Sequence, residues 1–187
     1  MKISKRGEYG LRAMINLGLA HELGRECVSA TDLATADNLP LKFLEQIFLS
    51  LRQAGYVDTI RGKSGGYKLA KNPANITMGE LVRLLDGPLA PIPCASKTAY
   101  EPCSCPDEDH CGLRMLMIDV RNAISNILDR YTLAQVVEVT LRKIRRNKAE
   151  HFFLRKEAPA PVRGPNHDPA DPTQGFLAEW TSSDDKA

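Results

Sequence analysis

The order of segments in the first half of the chain constrains its fold more than any other feature. Apolar residues recur at helical spacing over 4–22 and again over 40–54, and a shorter helix between them begins at Ser29. Two short strands then flank the turn 61–66, which contains three glycines. Two closely spaced helices followed by a glycine-rich hairpin predict a winged helix-turn-helix, mainly α with a small β wing.

A long amphipathic helix is predicted further along the chain. A short helix over 76–86, with Thr77 as its N-cap, closes the winged unit, and a last helix is predicted over 133–147. Between them, apolar residues over 113–131 alternate four and three apart, as in the seam of a coiled coil. The seam residues are Leu113, Met117, Val120, Ile124, Ile127 and Tyr131. The length of the seam favours a homodimerisation helix over a helix that packs on its own domain.

Composition divides the chain into four parts. Residues 1–87 form the predicted winged helix-turn-helix domain, 88–112 a cysteine-rich loop, and 113–150 the dimerisation helix with the helix after it. Residues 151–187 are rich in proline and acidic side chains and poor in apolar ones, so we expect a disordered acidic tail. No segment approaches the roughly 20 apolar residues of a membrane helix, and the N-terminus lacks a signal-peptide pattern. We therefore expect a cytoplasmic protein.

The 40–54 helix is the predicted reading helix, because the second helix of such a pair enters the major groove of double-stranded DNA. On this helix, Glu45 is suited to accept from a cytosine amino group and Gln46 to read adenine. Side chains at the start of the supporting helix and in the wing could donate hydrogen bonds to the phosphates of the DNA backbone. Together with the residues of the reading helix, the candidate DNA contacts are Ser29, Thr31, Lys42, Glu45, Gln46, Arg61, Lys63 and Lys68. The alternative is that these are solvated side chains of an ordinary helical domain. A two-fold dimer would present two reading helices to a near-palindromic operator.

Four cysteines cluster between the winged unit and the long helix, at Cys94, Cys103, Cys105 and Cys111. Thiolates are preferred ligands of soft metals and iron–sulfur clusters, and cysteines of a cytoplasmic protein stay reduced. The pattern indicates a metal or iron–sulfur centre between a DNA reader and a dimer interface. A structural zinc site or plain thiols would use the same residues. Cys27 stands alone, and we interpret it as a packed small residue.

Several motifs resemble those of the IscR-type bacterial regulators, also called the BadM/Rrf family. The matching segments are 1–4, 8–10 with Ala13, 43–47 with Leu51, 54–57, 61–62, 65–70, the cysteine loop and 131–134. The resemblance runs from residue 1 to about residue 145. It implies a homodimeric winged-helix transcription factor, a repressor or an activator, in which Glu45 and its neighbours read DNA and Arg61 lies in the wing.

The resemblance also implies a cluster, commonly [2Fe–2S], on three cysteines of the loop. Cys105 and Cys111 have the spacing of the last two family cysteines, Cys94 fits the first position after a longer insertion, and Cys103 is extra. Such a regulator would sense iron, redox or nitric oxide status. A colourless regulator with a structural zinc would be the main alternative.

The fourth ligand departs from the family's pattern. Some members use a histidine three residues after the last cysteine, but this chain has Arg114 there. The candidates for the fourth ligand are Cys103, Glu8 (which could come from the partner chain) and His110. An enzyme or electron-carrier role is disfavoured, because the sequence contains no paired carboxylates, nucleophile–base arrangement or phosphate loop.

Overall fold

The computed structural model describes residues 2–62 and 64–154. Its α-helices are α1 (Lys5–Glu22), α2 (Ala30–Asp37), α3 (Leu41–Gln53), α4 (Met78–Asp86), α5 (Gly112–Arg130) and α6 (Leu133–Arg146), and its strands are β1 (Val57–Ile60) and β2 (Gly66–Leu69). Short 3₁₀ helices lie at Pro73–Asn75, Pro93–Ala95 and Phe152–Leu154. The predicted fold class is confirmed, with a small antiparallel wing among helices.

Local hydrogen bonds explain where most helices begin and end. The Ser29 side chain accepts from the amide of Asp32 at the start of α2, and Asn38 ends α2 in the left-handed region with φ of 53°. Thr77 and Thr132 each form a capping box, with Glu80 and Gln135 respectively. These side chains satisfy amides that a helix terminus leaves without partners.

The core surrounds α1, which packs against α2, α3, α4 and α6. Met14 and Leu17 of α1 are buried with Phe48 of α3 and Val137 of α6. At the crossing of α1 and α6, a Cβ added to Gly18 would lie 2.7 Å from a methyl group of Val137. Gly18 therefore permits the close approach that joins α6, far along the chain, to the winged unit.

The wing is joined to the segment before α2. In the hairpin, Val57 pairs with Leu69 and Ile60 with Gly66. Val28 extends this sheet, because its amide donates to the Tyr67 carbonyl at 2.9 Å and its carbonyl accepts from the Tyr67 amide at 2.8 Å. A Cβ on Gly66 would collide with the Val28 carbonyl, so glycine is needed for this pairing.

Helix α5 differs from the others because none of its residues is buried. It packs on α4 and on the 3₁₀ helix Pro93–Ala95. The exposed apolar residues of α5 are Leu113, Met115, Leu116, Val120 and Ile127. The predicted seam is wrong at its end, since Tyr131 lies beyond the helix and is buried within its own chain, where its carbonyl accepts from the Met78 amide.

The start of the predicted tail is ordered, contrary to the boundary at residue 151. Residues Phe152–Leu154 form a 3₁₀ helix, and Phe153 is buried in the core. The Arg25 guanidinium lies 5.2 Å from the centre of the Phe153 ring. Adjacent aromatic residues give this short segment enough apolar area to pack, although it follows the last helix. The rest of the predicted disordered tail lies outside the described residues. Within those that are described, no helix is long and apolar enough to cross a membrane.

Candidate cysteine centre and nucleic-acid interface

The cysteine loop is anchored at its two ends. Its first cysteine, Cys94, lies in the 3₁₀ helix Pro93–Ala95 and is only 6% exposed. Its last, Cys111, is the N-cap residue of α5 and makes no side-chain capping bond. Cys103 and Cys105 lie between them, half-buried and exposed respectively. The four candidate ligands therefore span the approach to α5.

The four thiols lie near one another and interact in pairs. Burial, followed by the neighbouring Cys103, raises the pKa of the Cys94 thiol. A hydrogen bond with Cys103, with smaller effects of Cys111, raises the pKa of Cys105 to about 11. Cys103 is thus a neighbour of both Cys94 and Cys105, and Cys105 is also a neighbour of Cys111. Because neighbouring thiolates repel one another, the metal-free arrangement favours the protonated forms of Cys94 and Cys105.

The donor set suits an iron–sulfur cluster, which is normally held by thiolates. The contacts above connect all four thiols through Cys103 and Cys105. In residues 2–62 and 64–154, no group of three or more His, Cys, Asp or Glu side chains is arranged to hold a metal ion. The loop therefore gathers the right donors without a preformed cage for a single ion.

A carboxylate lies beside the thiols. The Cys103 thiol donates to Glu108 Oε2 at 3.7 Å, and the Tyr100 hydroxyl donates to Glu108 Oε1 at 2.8 Å. Arg114 Nε is 3.1 Å from the same Oε1 atom. The hydrogen bond from Tyr100 is the main cause of the lowered pKa of Glu108, and Arg114 adds to it. An ionised Glu108 therefore holds the middle of the loop to α5.

Two arginines of α5 bind the first part of the loop, at Cys94 and Ala95. Arg114 Nε donates to the Cys94 carbonyl at 3.0 Å, and Arg121 Nη1 donates to the Ala95 carbonyl at 2.6 Å. Reasoning from sequence considered Arg114 only as a residue that cannot bind a metal, and it missed Arg121. Their seven-residue spacing was an available signal, because it places both side chains on one face of a helix.

Two of the candidate fourth ligands have other partners. Glu8, in α1, contacts Lys5 Nζ at 2.7 Å and Arg12 at 3.5 Å, and the hydrogen bond from Lys5 is the main cause of its lowered pKa. His110 Nδ1 lies 2.9 Å from an Asp107 oxygen. Of the three candidates, Cys103 is the one in contact with the other thiols of the loop.

The candidate reading surface is open to solvent. The exposed residues among the predicted DNA contacts are Thr31, Lys42, Glu45, Gln46, Arg61 and Lys68. Ser29 is half-buried, and its oxygen is used as the N-cap of α2 while its hydroxyl hydrogen can still donate. Lys63 lies outside the described residues. The Cys27 thiol donates to the Ser64 carbonyl at 3.3 Å, so this half-buried cysteine contacts the wing turn.

The reading helix and the wing are held together by an aromatic stack. The rings of Phe48 (α3) and Tyr67 (β2) are 4.1 Å apart and inclined by 20°. Beside this stack is a cavity of about 220 Å³ that is also lined by Glu45, Leu49 and Arg52. Burial is the main cause of the raised pKa of Tyr67, and the Glu45 carboxylate adds to it. The stack of Tyr67 on Phe48 therefore holds the wing beside the face of α3 that carries Glu45.

Comparison with known proteins assigns this architecture. The family model for Rrf2, described as an iron-dependent transcriptional regulator, matches residues 3–139. The chain belongs to the Rrf2 family. Rrf2 proteins are transcriptional regulators, so this chain is a DNA-binding regulator and not an enzyme. The resemblance inferred from the sequence motifs is confirmed.

Individual Rrf2 proteins are similar over most of their length. A putative HTH-type, rrf2-like regulator of Rhodobacter capsulatus is 41% identical over 139 residues, which are 72% of this chain and 91% of the relative. The structure of CymR, the global cysteine regulator of B. subtilis, is 36% identical with a TM-score of 0.63 and covers 74% of this chain and 97% of its own. IscR of T. potens is 31% identical with a TM-score of 0.57, covering 74% and 87%.

Proposed function

We propose that this Rrf2-family regulator is a homodimer whose affinity for DNA is set by an iron–sulfur cluster, of the [2Fe–2S] type, bound in the cysteine loop. The observation that carries the proposal is the association of four thiols at the start of α5. The cluster would supply a centre whose state depends on iron, oxidants or nitric oxide. The protein would then be a sensor as well as a DNA reader.

The electrostatics of the loop favour a metal centre over plain thiols. With a pKa of about 11, Cys105 is almost entirely protonated at neutral pH, and a protonated thiol is a poor nucleophile. The burial of Cys94 acts in the same direction. A metal reverses this preference, because it binds and stabilises the deprotonated form of each thiol. Direct oxidation of Cys94 or Cys105 is therefore a less suitable signal.

We assign Cys94, Cys105 and Cys111 as three ligands and Cys103 as the fourth. Cys103 is favoured because it contacts two of the other thiols, whereas Glu8 is paired with Lys5 and Arg12 in α1. An all-thiolate site would hold its cluster more firmly than one with a carboxylate ligand. Replacement of Cys103 tests this choice against Glu8 of the partner chain.

The dimer interface is proposed on α5. Leu116 is 56% exposed although it is a large apolar residue, and Leu113, Val120 and Ile127 are exposed on the same side of the helix. Such a stripe on a long helix is typical of a helix–helix interface. A two-fold pair would place two α3 helices on successive major grooves of near-palindromic double-stranded DNA.

Polar contacts connect the loop to the reading domain through α5. Arg114 and Arg121 hold the carbonyls of Cys94 and Ala95. At the other end of α5, Asp129 accepts two hydrogen bonds from Arg83 of α4, both at 2.6 Å. A change in loop conformation would therefore move α5 relative to α4. Such a movement alters DNA affinity only if the two states bind DNA with different free energies.

The decisive experiment is anaerobic purification of the full chain, followed by a visible spectrum and analysis of iron, sulfide and zinc. We expect a coloured protein with about two irons and two sulfides per chain. Cys105→Ala should lose this spectrum, whereas Cys27→Ala, outside the loop, should keep it. DNA affinity of cluster-loaded and cluster-free protein is then compared on a duplex selected in vitro. Equal affinities would contradict gating.

A second candidate function keeps DNA binding but gives the loop a structural zinc or free thiols. This alternative is supported by the 36% identity to CymR, whose structure is described as that of a global cysteine regulator. A colourless protein with one zinc per chain would establish the zinc form. A colourless, metal-free protein that binds DNA would leave the thiols themselves as the sensor.

A further inference from the structure

A polar cavity of about 340 Å³ lies between α4, the first part of the cysteine loop and α5. We call it the loop cavity and define it by Arg83 of α4, Lys97 and Thr98 of the loop, and Arg121 and Asn126 of α5. Its volume falls in the range of roughly 300–1,000 Å³ that is typical of small-molecule sites. The cavity is separate from the four thiols but shares the loop with them.

The lining of the loop cavity has an excess of positive charge. It contains three cations, Arg83, Lys97 and Arg121, and the carboxylate of Asp129. Arg83 and Asp129 neutralise each other through two hydrogen bonds of 2.6 Å. Lys97 and Arg121 are left without a carboxylate partner among the described residues. Two positive charges on one cavity are balanced best by a ligand with two negative charges.

Hydrogen-bonding groups in the cavity are also available to a ligand. Arg121 donates to the Ala95 carbonyl and to Asn122 Oδ1, and these hydrogen bonds use three of its five N–H groups. The side chains of Thr98, Ser125 and Asn126 make no hydrogen bond to any part of the chain that the structure describes. Planar guanidinium and amide donors suit the two oxygens of a carboxylate.

We propose that the loop cavity binds a small dicarboxylate. One carboxylate would accept from Lys97 and from the unused N–H groups of Arg121, and the other from Asn126 and the neighbouring hydroxyls. With about 3.6 residues per turn, the cavity residues Asn122 and Ser125 lie opposite Leu116 and Val120 on α5. A partner chain on the apolar face would therefore leave the cavity accessible.

Binding in the cavity would act on the loop beside Cys94. Arg121 contacts both the Ala95 carbonyl and the cavity, so a ligand that orders Arg121 also stabilises the 3₁₀ helix that carries Cys94. An effect on DNA affinity would rest on the proposed function above. Binding itself does not, and it is measured without DNA and without a cluster.

The test uses the purified full chain and succinate as the probe, with isothermal titration calorimetry and hydrogen–deuterium exchange. We expect saturable binding and slower amide exchange over 89–99. Succinamide, which has the same length without charge, should not bind. Lys97→Gln should weaken succinate binding about tenfold or more, since it removes a charged hydrogen-bond donor. Lys2→Gln, an exposed lysine outside the cavity, should leave the affinity unchanged.

Five outcomes would overturn the proposal. Equal affinity for inorganic phosphate would indicate recognition of charge alone, and equal affinity for propionate would show that one carboxylate is enough. Lys97→Gln and Lys2→Gln could behave alike, or the exchange of 89–99 could be unaffected by bound succinate. Absence of any heat and protection at millimolar succinate would exclude the site. None of these outcomes alters the expected metal analysis, so failure here is distinct from failure of the cluster proposal.

Discussion

The winged domain and the α5 region are held together in different ways. In the winged domain, α1 and α3 bury apolar faces against each other, and the wing is fixed by the Phe48–Tyr67 stack. Helix α5 has no buried residue, and arginines hold the cysteine loop to it through carbonyl groups and Glu108. The reading surface thus lies on an apolar core, whereas the candidate sensor lies on polar contacts that a ligand or partner can change.

The largest expected effect comes from breaking the core of the winged domain. Phe48→Ala removes the stack with Tyr67 and leaves a cavity beneath the wing, so the free energy of unfolding should fall by about 3–5 kcal/mol. Urea denaturation followed by circular dichroism measures the change. Leu49→Ala, which removes an exposed side chain of the same helix, is the matched control and should cost far less. Equal effects of the two changes would refute the described core.

Local interactions account for what could be predicted from the sequence. The starts of α2, α4 and α6 followed from the N-cap residues Ser29, Thr77 and Thr132, because an N-cap and its partner lie three residues apart. The cysteines were recognised by residue type and spacing. The hairpin could also be predicted from its glycines. Gly65 and Gly66 are required because the carbonyls of Ile60 and Val28, respectively, leave no room for a Cβ.

Contacts between distant segments could not be predicted in the same way. The seam spacing includes Tyr131, but spacing cannot tell whether a residue faces a partner or its own core, and Tyr131 faces the core. Phe153 returns to α1 from beyond the last helix. Arg121 binds the loop only because the loop folds back along α5. The contacts of Tyr131 and Phe153 depend on chain reversal, which leaves no periodic signal. For Arg121, the seven-residue spacing from Arg114 indicates a shared helix face but not the segment that this face binds.

The second prediction tests the apolar face of α5. Leu116→Glu places a charge on each copy of the proposed interface, so the dimer dissociation constant should rise at least about tenfold. Sedimentation equilibrium measures it. The unfolding free energy of the monomer should change little, because Leu116 is exposed within one chain. Asn126→Ala, on the cavity side of α5, serves as the control. An unchanged dimer would place the interface elsewhere.

The third prediction concerns the link between α4 and α5. Arg83 and Asp129 are 34% and 43% exposed, so the pair should contribute only about 0.5–1 kcal/mol. The hydrogen bond from Arg83 lowers the pKa of Asp129. A carboxyl group with a lower pKa in the folded state stabilises the protein above its unfolded pKa, and this stabilisation is lost as pH falls through the folded pKa.

A double-mutant cycle with Arg83→Met and Asp129→Asn measures this contribution by urea denaturation. The coupling should be present at pH 7, decline as the pH falls below the ordinary range of an aspartate carboxyl, and be lost once the pH is below the lowered pKa of folded Asp129. A coupling that stays constant over this pH range would mean that the charges do not carry the link.

The smallest expected effect is confined to the loop. Arg114→Ala removes the hydrogen bond to the Cys94 carbonyl and the contact with Glu108, so amide exchange near Cys94 should become about fivefold faster in the metal-free protein. The midpoint of global unfolding should hardly move, because the winged core is untouched. Arg114→Lys keeps the charge near Glu108 but cannot reproduce both contacts of the guanidinium, so it should restore only part of the protection. If Arg114→Ala instead lowered global stability as much as a core truncation, the loop would belong to the same cooperative unit as the winged domain.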